Sequence, residues 1–315
     1  MSRTLLFEIG VEEIPSAPLY NAVTQLKTRA MAALESARLG YDTVETYGSP
    51  RRLALVVTGL ADRQEDLSLT VKGPAVKAAF DADGNPTKAA EGFARSRGIA
   101  VEDLKRGEID GGEYVLAHVE ETGRAAIEVL PELLATLAGA IDWPKAQRWG
   151  SGTTRFIRPV RWLVALLDGD IVPVRFAGLE AGRTTMGHRF LSGPIEIAHA
   201  SEYHDAMCRG HVLVDAEERA ESIRHQIDEA AASLNARAVV PEKTFAEVVN
   251  LVEFPTVGIG RFDERFLRVP REIVEEAMES HQRYFPLETT DGQLLDRFIV
   301  VHNGDPARTE TIITG

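Results

Sequence analysis

The segment LLFEIGVEEIP at residues 5–15 begins with an apolar run, and residues 4–9 are predicted to form a strand. Residues 18–38 follow with apolar side chains at three- and four-residue spacing, which predicts a helix that ends at Gly40. An apolar strand returns at residues 53–58. The opening is therefore predicted to be a βαβ-like unit. Its first loop has no glycine-rich phosphate cradle, so it does not favour a nucleotide-binding protein.

The composition is that of a globular protein. With 315 residues, 44% of them hydrophobic and 26% charged, the chain is expected to form roughly two domains. Cys208 is the single cysteine, which excludes an internal disulfide and a metal site built from cysteines. We expect its side chain to be buried and the protein to reside in a reducing compartment. Glu8, Glu12 and Glu13 interrupt any signal peptide, and no apolar run approaches the roughly 18 residues of a membrane span. A cytoplasmic protein with no membrane contact is expected.

Alternating elements predict the α+β class, with mixed sheets and flanking helices. Periodicity is interrupted around residues 140–150, so we place a boundary between an α/β domain of residues 1–145 and a second, α+β domain of residues 146–315. Further predicted elements are a helix at residues 88–97 ended by Gly98, a strand at 113–119, a helix at 125–140 that contains Pro131, hairpins turning at 168–170 and 291–292, a helix capped by Asp215 with Glu218, and helices at 244–253 and 271–281.

The charge distribution is uneven. A net charge of −13 argues against a surface built wholly for polyanions, yet residues 145–165 contain no acidic residue. The cations of this basic island are Lys145, Arg148, Arg155, Arg158 and Arg161. The last three recur near Phe156 and Trp162, which suits either stacking on exposed RNA bases or burial at a subunit contact.

Three motifs carry cations at the ends of predicted elements, and each has two interpretations. In SPRR, Arg51 and Arg52 could clamp a phosphate or pair with carboxylates. In GHRF, His188 and Arg189 suggest either a structural turn or a displayed binding group. In HQRYFPL, residues 281–287, the histidine and arginine lie at a helix end, where a cation is favoured by the helix dipole whatever its function.

The sequence shows no catalytic constellation. His204-Asp205 resembles the metal-binding pair of phosphohydrolases but lacks further ligands at set positions, so we interpret it as a solvent-facing pair at a helix start. No Walker loop, metalloprotease motif or nucleophile elbow is present.

The ordered motifs FEIGVEEIP, SPRRLAL, VKGPAVKAAFDADGNPTKAAEGFAR, RWGSGTTRFIRPVRWLVALL, GHRF, HQRYFPL and FIVVHN resemble one family along essentially the whole chain. That family is the β subunit of the bacterial-type heterotetrameric glycyl-tRNA synthetase. The resemblance implies a noncatalytic subunit that supplies tRNA recognition, in a complex of two α and two β chains. The α subunit carries the glycine and ATP site, with magnesium, so no cofactor is expected in this chain and no catalytic residue is assigned. Neither DNA nor a membrane is an expected partner.

Family β subunits are about twice this long, so the chain is expected to be an N-terminal portion that lacks the helical phosphohydrolase-like and anticodon-binding regions. Its second half is similar in character to the α/β module of phenylalanyl-tRNA synthetase β subunits, which can edit mischarged tRNA. Because glycine is the smallest amino acid, a pocket can exclude larger ones by sterics, and the need for editing is weak. The expected contacts with tRNA or the partner chain are Arg51, Arg52, Lys145, Arg148, Arg155, Arg158, Arg161, His188, Arg189, His281 and Arg283.

Three hypotheses remain open. A noncatalytic tRNA-binding subunit predicts an exposed positive surface at residues 145–161. A self-contained hydrolase, such as an editing enzyme using His188, His204 or His281, predicts a pocket where at least two titratable groups converge. A pure assembly module predicts arginines in ion pairs or in a protein interface.

Overall fold

Helices and antiparallel sheets alternate along residues 2–314, the part of the chain that the computed structural model describes, and the predicted α+β class is confirmed. The strands are β1 (Ser2–Val11), β2 (Thr43–Ser49), β3 (Arg52–Ala61), β4 (Leu67–Ala75), β5 (Lys105–Ile109), β6 (Gly112–Glu121), β7 (Val160–Leu167), β8 (Asp170–Ile171), β9 (Arg175–Phe176), β10 (Leu179–Glu180), β11 (Thr184–Met186), β12 (Pro194–Glu196), β13 (Arg237–Ala238), β14 (Thr256–Arg261), β15 (Phe285–Glu288) and β16 (Leu294–His302). The helices are α1 (Ser16–Ser36), α2 (Val76–Ala79), α3 (Lys88–Arg97), α4 (Ala126–Gly139), α5 (Tyr203–Arg209), α6 (Ala216–Ser233), α7 (Glu242–Val249), α8 (Arg271–Glu276) and α9 (Thr309–Thr314).

The first sheet has the order β2-β3-β1-β7-β8, with β1 at its centre. Because side chains alternate along a strand, β1 serves two cores. Leu5, Phe7 and Ile9 join the core that contains the buried faces of α1 and α4, whereas Leu6 packs with Tyr203 of α5 on the other side. A strand buried on both faces explains the nearly continuous apolar run that predicted it.

The prediction that the chain opens with a βαβ-like unit was wrong. β3 runs antiparallel to β1, whereas a βαβ unit requires parallel strands. The sequence missed β2, the strand Thr43–Ser49, which returns the chain after α1 and forms a hairpin with β3. Its sequence TVETYGS holds only Val44 and Tyr47 as large apolar or aromatic residues, so its apolar signal is weak.

The same sheet crosses the expected domain boundary at residue 145. β7 comes from the second half of the chain and pairs antiparallel with β1 over residues 160–167. The boundary thus falls in the connection between α4 and β7, two elements that contribute to one core.

Residues 67–121 form a module inserted between two neighbouring points of the chain. Its sheet has the order β4-β6-β5 and packs against α2 and α3 around a small core of its own. Arg63 and Ala125 form an isolated antiparallel bridge where the chain enters and leaves the module, and Gln64 N donates to Arg124 O. The predicted helix at 88–97 is confirmed, with Gly98 in the left-handed conformation at its end.

A second large sheet has the order β13-β15-β16-β14 and packs against α6 and α7. The predicted hairpin at residues 291–292 is confirmed by the pairing of β15 with β16. Asp215 caps α6 as predicted, since its side chain accepts from Glu217 N at 2.7 Å. Glu218 does not complete the capping box, because its carboxylate contacts His204 instead.

Arg219 of α6 connects α7 to the first sheet through a cation surrounded by carbonyl groups. Its side chain is fully buried and donates to Val249 O, Leu213 O, Val214 O and Gly48 O. Burial lowers the pKa of Arg219 to about 10. Four carbonyl dipoles thus solvate this charge in place of water.

Candidate nucleic-acid interface

A buried ionic cluster lies where the first sheet meets the rest of the molecule. Arg52, Glu8 and Glu253 are all fully buried. Arg52 donates to Glu253 Oε1 from Nη2 at 3.1 Å and from Nε at 3.2 Å, and its Nη1 lies 3.5 Å from Glu8 Oε2. Of the two interpretations for Arg52, pairing with carboxylates is therefore the one observed. A guanidinium enclosed in this way cannot reach a phosphate without a rearrangement.

Hydroxyl and indole groups also donate to the two carboxylates. Glu8 accepts from Tyr203 OH at 2.6 Å, from Thr185 Oγ1 at 2.5 Å and from Trp162 Nε1 at 2.5 Å. Glu253 accepts from Ser49 Oγ at 2.6 Å. Both oxygens of Glu8 and Oε1 of Glu253 thus have hydrogen-bond donors, whereas Glu253 Oε2 is buried without one among the described residues and lies 3.7 Å from Arg51 Nη1.

Burial raises the pKa of the Glu253 carboxyl, but the charge of Arg52, the Ser49 hydroxyl and Arg51 outweigh it and leave the pKa below its ordinary value. Burial, followed by the charge of Glu8, raises the pKa of Tyr203 well above its ordinary range. The cluster therefore keeps Glu253 ionised and Tyr203 protonated at neutral pH.

Sequence reasoning did not find Glu8, Glu253 and Tyr203 as a cluster. One signal was available, because Glu8 and Glu253 are charged residues within the apolar stretches LLFEIG and LVEFP. Their convergence was not readable, since 201 residues separate Arg52 from Glu253.

The GHRF and VHN motifs meet next to this cluster. His188 is fully buried, and its Nε2 lies 3.1 Å from Asn303 Oδ1, which also accepts from Glu253 N at 2.8 Å and Phe254 N at 3.0 Å. Phe190 N donates to His188 Nδ1 at 3.4 Å. A neutral ring protonated on Nε2 satisfies both contacts. The buried His188 thus holds the loop in place, and the next two residues, Arg189 and Phe190, lie at the surface.

Three arginines, which we call the arginine rim, surround the turn at Glu12 and Glu13: Arg51, Arg161 and Arg189. Arg161 Nε lies 3.5 Å from Glu12 Oε2, and Arg189 Nη2 lies 3.8 Å from Glu13 Oε2. Both ion pairs are exposed, and such pairs contribute little to stability, so a phosphate could replace either carboxylate.

Arg51 and Phe190 complete the surroundings of the rim. Arg51 is half-buried, donates to Gly187 O at 3.2 Å and lies 5.5 Å from the Trp162 ring centroid. Burial lowers its pKa despite the charge of Glu253. The Phe190 ring is 69% exposed next to this loop. An exposed ring beside guanidinium groups is the arrangement on which unpaired RNA bases stack.

The remaining cations of the basic island form what we call the basic strip: Lys145, Arg148, Arg155 and Arg158. Three are exposed, and Arg158 is half-buried. A bridge between Gln147 and Phe156 holds the two stretches of the strip side by side. Across residues 2–314, none of the four forms an ion pair, whereas most other arginines do. The strip therefore keeps an uncompensated positive charge on a chain of net charge −13.

Phe156 does not provide the exposed stacking ring that its position near the arginines suggested. It is 1% exposed, and its ring meets Trp143 at 4.8 Å and Phe176 at 6.0 Å between centroids. The buried ring instead fixes the strip to the first core. Glu12 N donates to Pro159 O, which places the arginine rim beside the strip.

His281 and Arg283 lie at the end of the helical segment that begins with α8. The predicted helix 271–281 begins as α8, and residues Ala277–Gln282 widen into a π-helical turn. Arg283 follows in the left-handed conformation, with φ of 59°, and its Nε donates to Glu247 Oε2 at 2.6 Å. Left-handed arginine is uncommon, and π-helical turns are frequent at functional sites.

His281 lines an apolar groove of about 670 Å³. Its walls include Phe262, Phe266, Val269, Ile273, Met278, Tyr284 and Phe298. Ile273 is 60% exposed, and Tyr284 stacks on Phe298 at 4.5 Å. Besides His281, the titratable side chain that lines this groove is Tyr284, and neither His188 nor His204 lines it. The hydrolase hypothesis stays a prediction.

Cys208 was predicted to be buried, and this was wrong. Its side chain is exposed, because position 208 lies on the outer face of α5. His204, on the same face, is half-buried and contacts Glu218, and Asp205 is exposed. The His204-Asp205 pair lies at a helix start as predicted, since α5 begins at Tyr203, but only Asp205 faces solvent fully. No helix among residues 2–314 is both long and apolar enough to cross a bilayer.

Comparisons with known proteins identify the same family that the sequence motifs resemble. A family model described as glycyl-tRNA synthetase beta subunit matches residues 5–315. The chain is 48% identical over its whole length to the glycine–tRNA ligase beta subunit of Moorella thermoacetica, 42% to that of Desulforamulus reducens and 41% to that of Streptococcus agalactiae. In each case it spans 46% of the relative, so it covers about half the length of these proteins. With a match that extends from β1 through the cluster to α9, the chain belongs to the family of glycyl-tRNA synthetase β subunits.

Proposed function

We propose that this chain is the N-terminal, noncatalytic portion of a β subunit that binds glycine tRNA in the cytoplasm. In this proposal it assembles with an α subunit, in a complex of two α and two β chains, and the α subunit uses ATP and magnesium to attach glycine. Family membership supports a role in a glycine–tRNA ligase. The proposed roles in tRNA binding and in assembly rest on the surface described above.

The basic strip is the observation that carries the tRNA-binding role. Its cations lack carboxylate partners among the described residues, while ion pairs neutralise most of the other arginines on this acidic chain. Unpaired exposed cations release counterions when they meet phosphates, which favours polyanion binding and makes it sensitive to salt. The neighbouring arginine rim, with the exposed Phe190 ring, adds a position for an unpaired base such as those of a tRNA acceptor end.

Binding of glycine tRNA to the 315-residue chain over a range of salt concentrations tests this role directly. The triple variant Lys145→Gln, Arg148→Gln, Arg155→Gln is expected to bind at least about tenfold more weakly, with the slope of log affinity against log salt shallower by about 2–3.

The matched control is the triple variant Arg175→Gln, Arg224→Gln, Arg265→Gln, which removes the same charge from exposed arginines that are paired with Glu180, Glu242 and Asp263. It is expected to bind almost as the parent does. Equal losses in the two triple variants would show that only net charge matters and that the strip is not the binding surface.

The ligase role is tested by glycylation with an α subunit and a β subunit of full family length, with or without residues 1–315. Loss of charging in the deletion would show that this segment is needed for tRNA handling or assembly. Equal charging would make it dispensable for aminoacylation and favour an editing role. Failure of both pairs would contradict the proposed activity.

A pure assembly module is the second candidate, and the apolar groove beside His281 favours it. Exposed apolar grooves mark protein contacts in soluble proteins, and Ile273 and Phe266 are 60% and 43% exposed. If assembly is the role, Ile273→Glu should weaken co-purification with the α subunit while the tRNA affinity of the isolated chain stays unchanged. The basic-strip variant should show the opposite pattern if tRNA binding is the role.

A further inference from the structure

Three side chains of different chemistry converge at the junction of α5 and α6. His204 and Cys208 are four residues apart on α5 and so lie on one face of that helix. Glu218 projects toward them from the first turn of α6. An imidazole, a thiol and a carboxylate therefore share one position at the surface.

The distances are close to those of a metal site. Cys208 Sγ lies 3.9 Å from His204 Nδ1, whereas Glu218 Oε2 lies 3.1 Å from the other ring nitrogen, Nε2. One ion bonds only one nitrogen of an imidazole ring, so Glu218 has to turn from Nε2 toward Nδ1 for all three groups to share the ion. One ligand atom from each residue lies within 4.8 Å of the others. Zinc bonds of about 2.0–2.3 Å in tetrahedral geometry put ligand atoms roughly 3.3–3.8 Å apart. Rotation of the Glu218 side chain toward Nδ1, with a contraction of about an ångström, would close the set, and Glu218 and Cys208 are exposed enough to move in this way.

The simpler interpretation is an exposed His204–Glu218 ion pair. It accounts for two of the three groups and leaves the thiol without a role. His225 and Glu229 form such a pair on α6, at 3.4 Å, and no thiol lies with them because Cys208 is the single cysteine of the chain. The junction differs from that pair by its sulfur ligand and by the adjacent Asp205, which adds negative charge.

We propose that His204, Cys208 and Glu218 bind one Zn²⁺ ion, with water in the fourth position. Nitrogen and sulfur ligands select a borderline-soft divalent cation over Mg²⁺ or Ca²⁺, and an open position is typical of a three-ligand zinc site. On binding, the thiol releases its proton to solvent and the sulfur bonds the metal as a thiolate.

The position of the site gives the ion a structural effect. Zinc would link α5 to α6, two helices that anchor the buried contacts. Tyr203 of α5 donates to Glu8, and Arg219 of α6, which follows Glu218, donates to Gly48 O of the first sheet. Metal that binds only the folded state raises its stability, so added Zn²⁺ should raise the melting temperature.

The single cysteine makes the test specific. The rate at which a thiol-specific reagent modifies the 315-residue chain reports on Cys208 alone. Added Zn²⁺ is expected to slow this reaction by about tenfold or more, and Co²⁺ in its place should give the absorption of a thiolate-bound metal. His204→Ala and Glu218→Gln should each weaken the protection by about tenfold.

His225→Ala is the matched control, since it removes an exposed histidine paired with a glutamate in the same region. It should retain the full protection, and circular dichroism should show that all variants are folded. Equal protection in the parent and in His204→Ala would mean that the thiol binds metal alone, which overturns the proposal. Unchanged reactivity at millimolar Zn²⁺ would overturn it as well.

Discussion

Arg52 is the residue on which the buried cluster depends, because it is the cation that both Glu8 and Glu253 contact. Removing one partner of a buried ion pair leaves an uncompensated charge away from water. The buried ion pair contributes little net stability, because taking its charges out of water costs free energy. Removing one of its partners is nevertheless strongly destabilising. The loss should therefore be large at Arg52 and small at an exposed arginine.

Arg52→Met is accordingly expected to lower the free energy of unfolding by about 3–5 kcal/mol, measured by urea denaturation at neutral pH. Arg161→Met is the control, because its ion pair with Glu12 is exposed and should be worth about 0–1 kcal/mol. If the two variants lose similar stability, the cluster does not have the energetic role assigned to it.

Glu253 makes the stability depend on acid pH. Its folded pKa is depressed below the ordinary value of 4.5. A carboxyl of this kind binds more protons when unfolded, so its contribution is complete above about pH 4.5 and is lost as the pH falls through the folded pKa.

Glu253→Gln should be less stable than the parent at neutral pH and should lose less further stability between pH 4.5 and pH 2. Denaturant midpoints measured across this window are the readout. A parent and variant with parallel pH profiles would contradict the assignment of the acid sensitivity to Glu253.

Among the strands, β1 and β7 owe their close contact to Gly10. Gly10 pairs with Trp162 in the register of these strands, and a Cβ at position 10 would lie 1.9 Å from the indole ring. The absence of a side chain lets the ring lie across β1 and donate its Nε1–H to Glu8. The backbone of one strand thus makes room for the cluster.

Gly10→Ala is therefore expected to displace the indole and destabilise the protein by about 1–3 kcal/mol, measured by thermal or urea unfolding. Gly40→Ala is the control, since its Cβ would meet nothing within 4 Å. Equal unfolding midpoints for the two variants would show that the ring adapts without loss.

Local signals in the sequence predicted the individual elements better than their pairing. The helix at 88–97 and its Gly98 end, the Asp215 cap and the turn at 291–292 are set by neighbours in the chain, and each was confirmed. The edge strand β2 was missed because it carries few apolar residues, and the π-helical turn at 277–282 has no periodic signal. The pairing of β1 with β7 joins residues over 150 positions apart, which no local pattern encodes.

In the candidate site, too, features set by the local sequence were predicted and features that depend on distant residues were not. The basic strip was identified from composition, because four cations without an intervening acid remain basic however the chain folds. The burial of Arg52 and His188 was not predictable, since it depends on Glu253 and Asn303, which arrive from other elements. Whether the strip contacts tRNA stays a prediction.

The molecule as a unit is assembled from two large sheets and one insertion. The chain enters and leaves the inserted module through a narrow neck, where Gly123 packs so closely that a Cβ would meet Gln64 O at 1.9 Å. Ala126 N donates to Asp62 O and Gly123 N donates to Asp66 Oδ1, so the two ends of the module are held together from outside it. Its helices pack on its own sheet around a separate core.

Excision of residues 67–121, with a short glycine-serine linker in their place, should leave the remaining chain folded, with a cooperative thermal transition. By contrast, residues 1–145 alone should fail to fold, because removal of β7 exposes one edge of the central strand β1. A folded 1–145 fragment, or an unfolded excision variant, would contradict this division of the molecule.

The distance along the chain between Arg52 and Glu253 also has a consequence for synthesis. At about 5–20 residues per second, a ribosome needs roughly 10–40 s to make the 201 residues that separate them. During that interval the nascent N-terminal segment holds a cation whose second carboxylate does not yet exist. For about the first half of the interval, β7, the neighbour of the central strand, is also still to be translated. The N-terminal segment thus emerges from the ribosome before the residues that bury its apolar strand β1 on both faces, and we expect a holding chaperone to protect it in this interval.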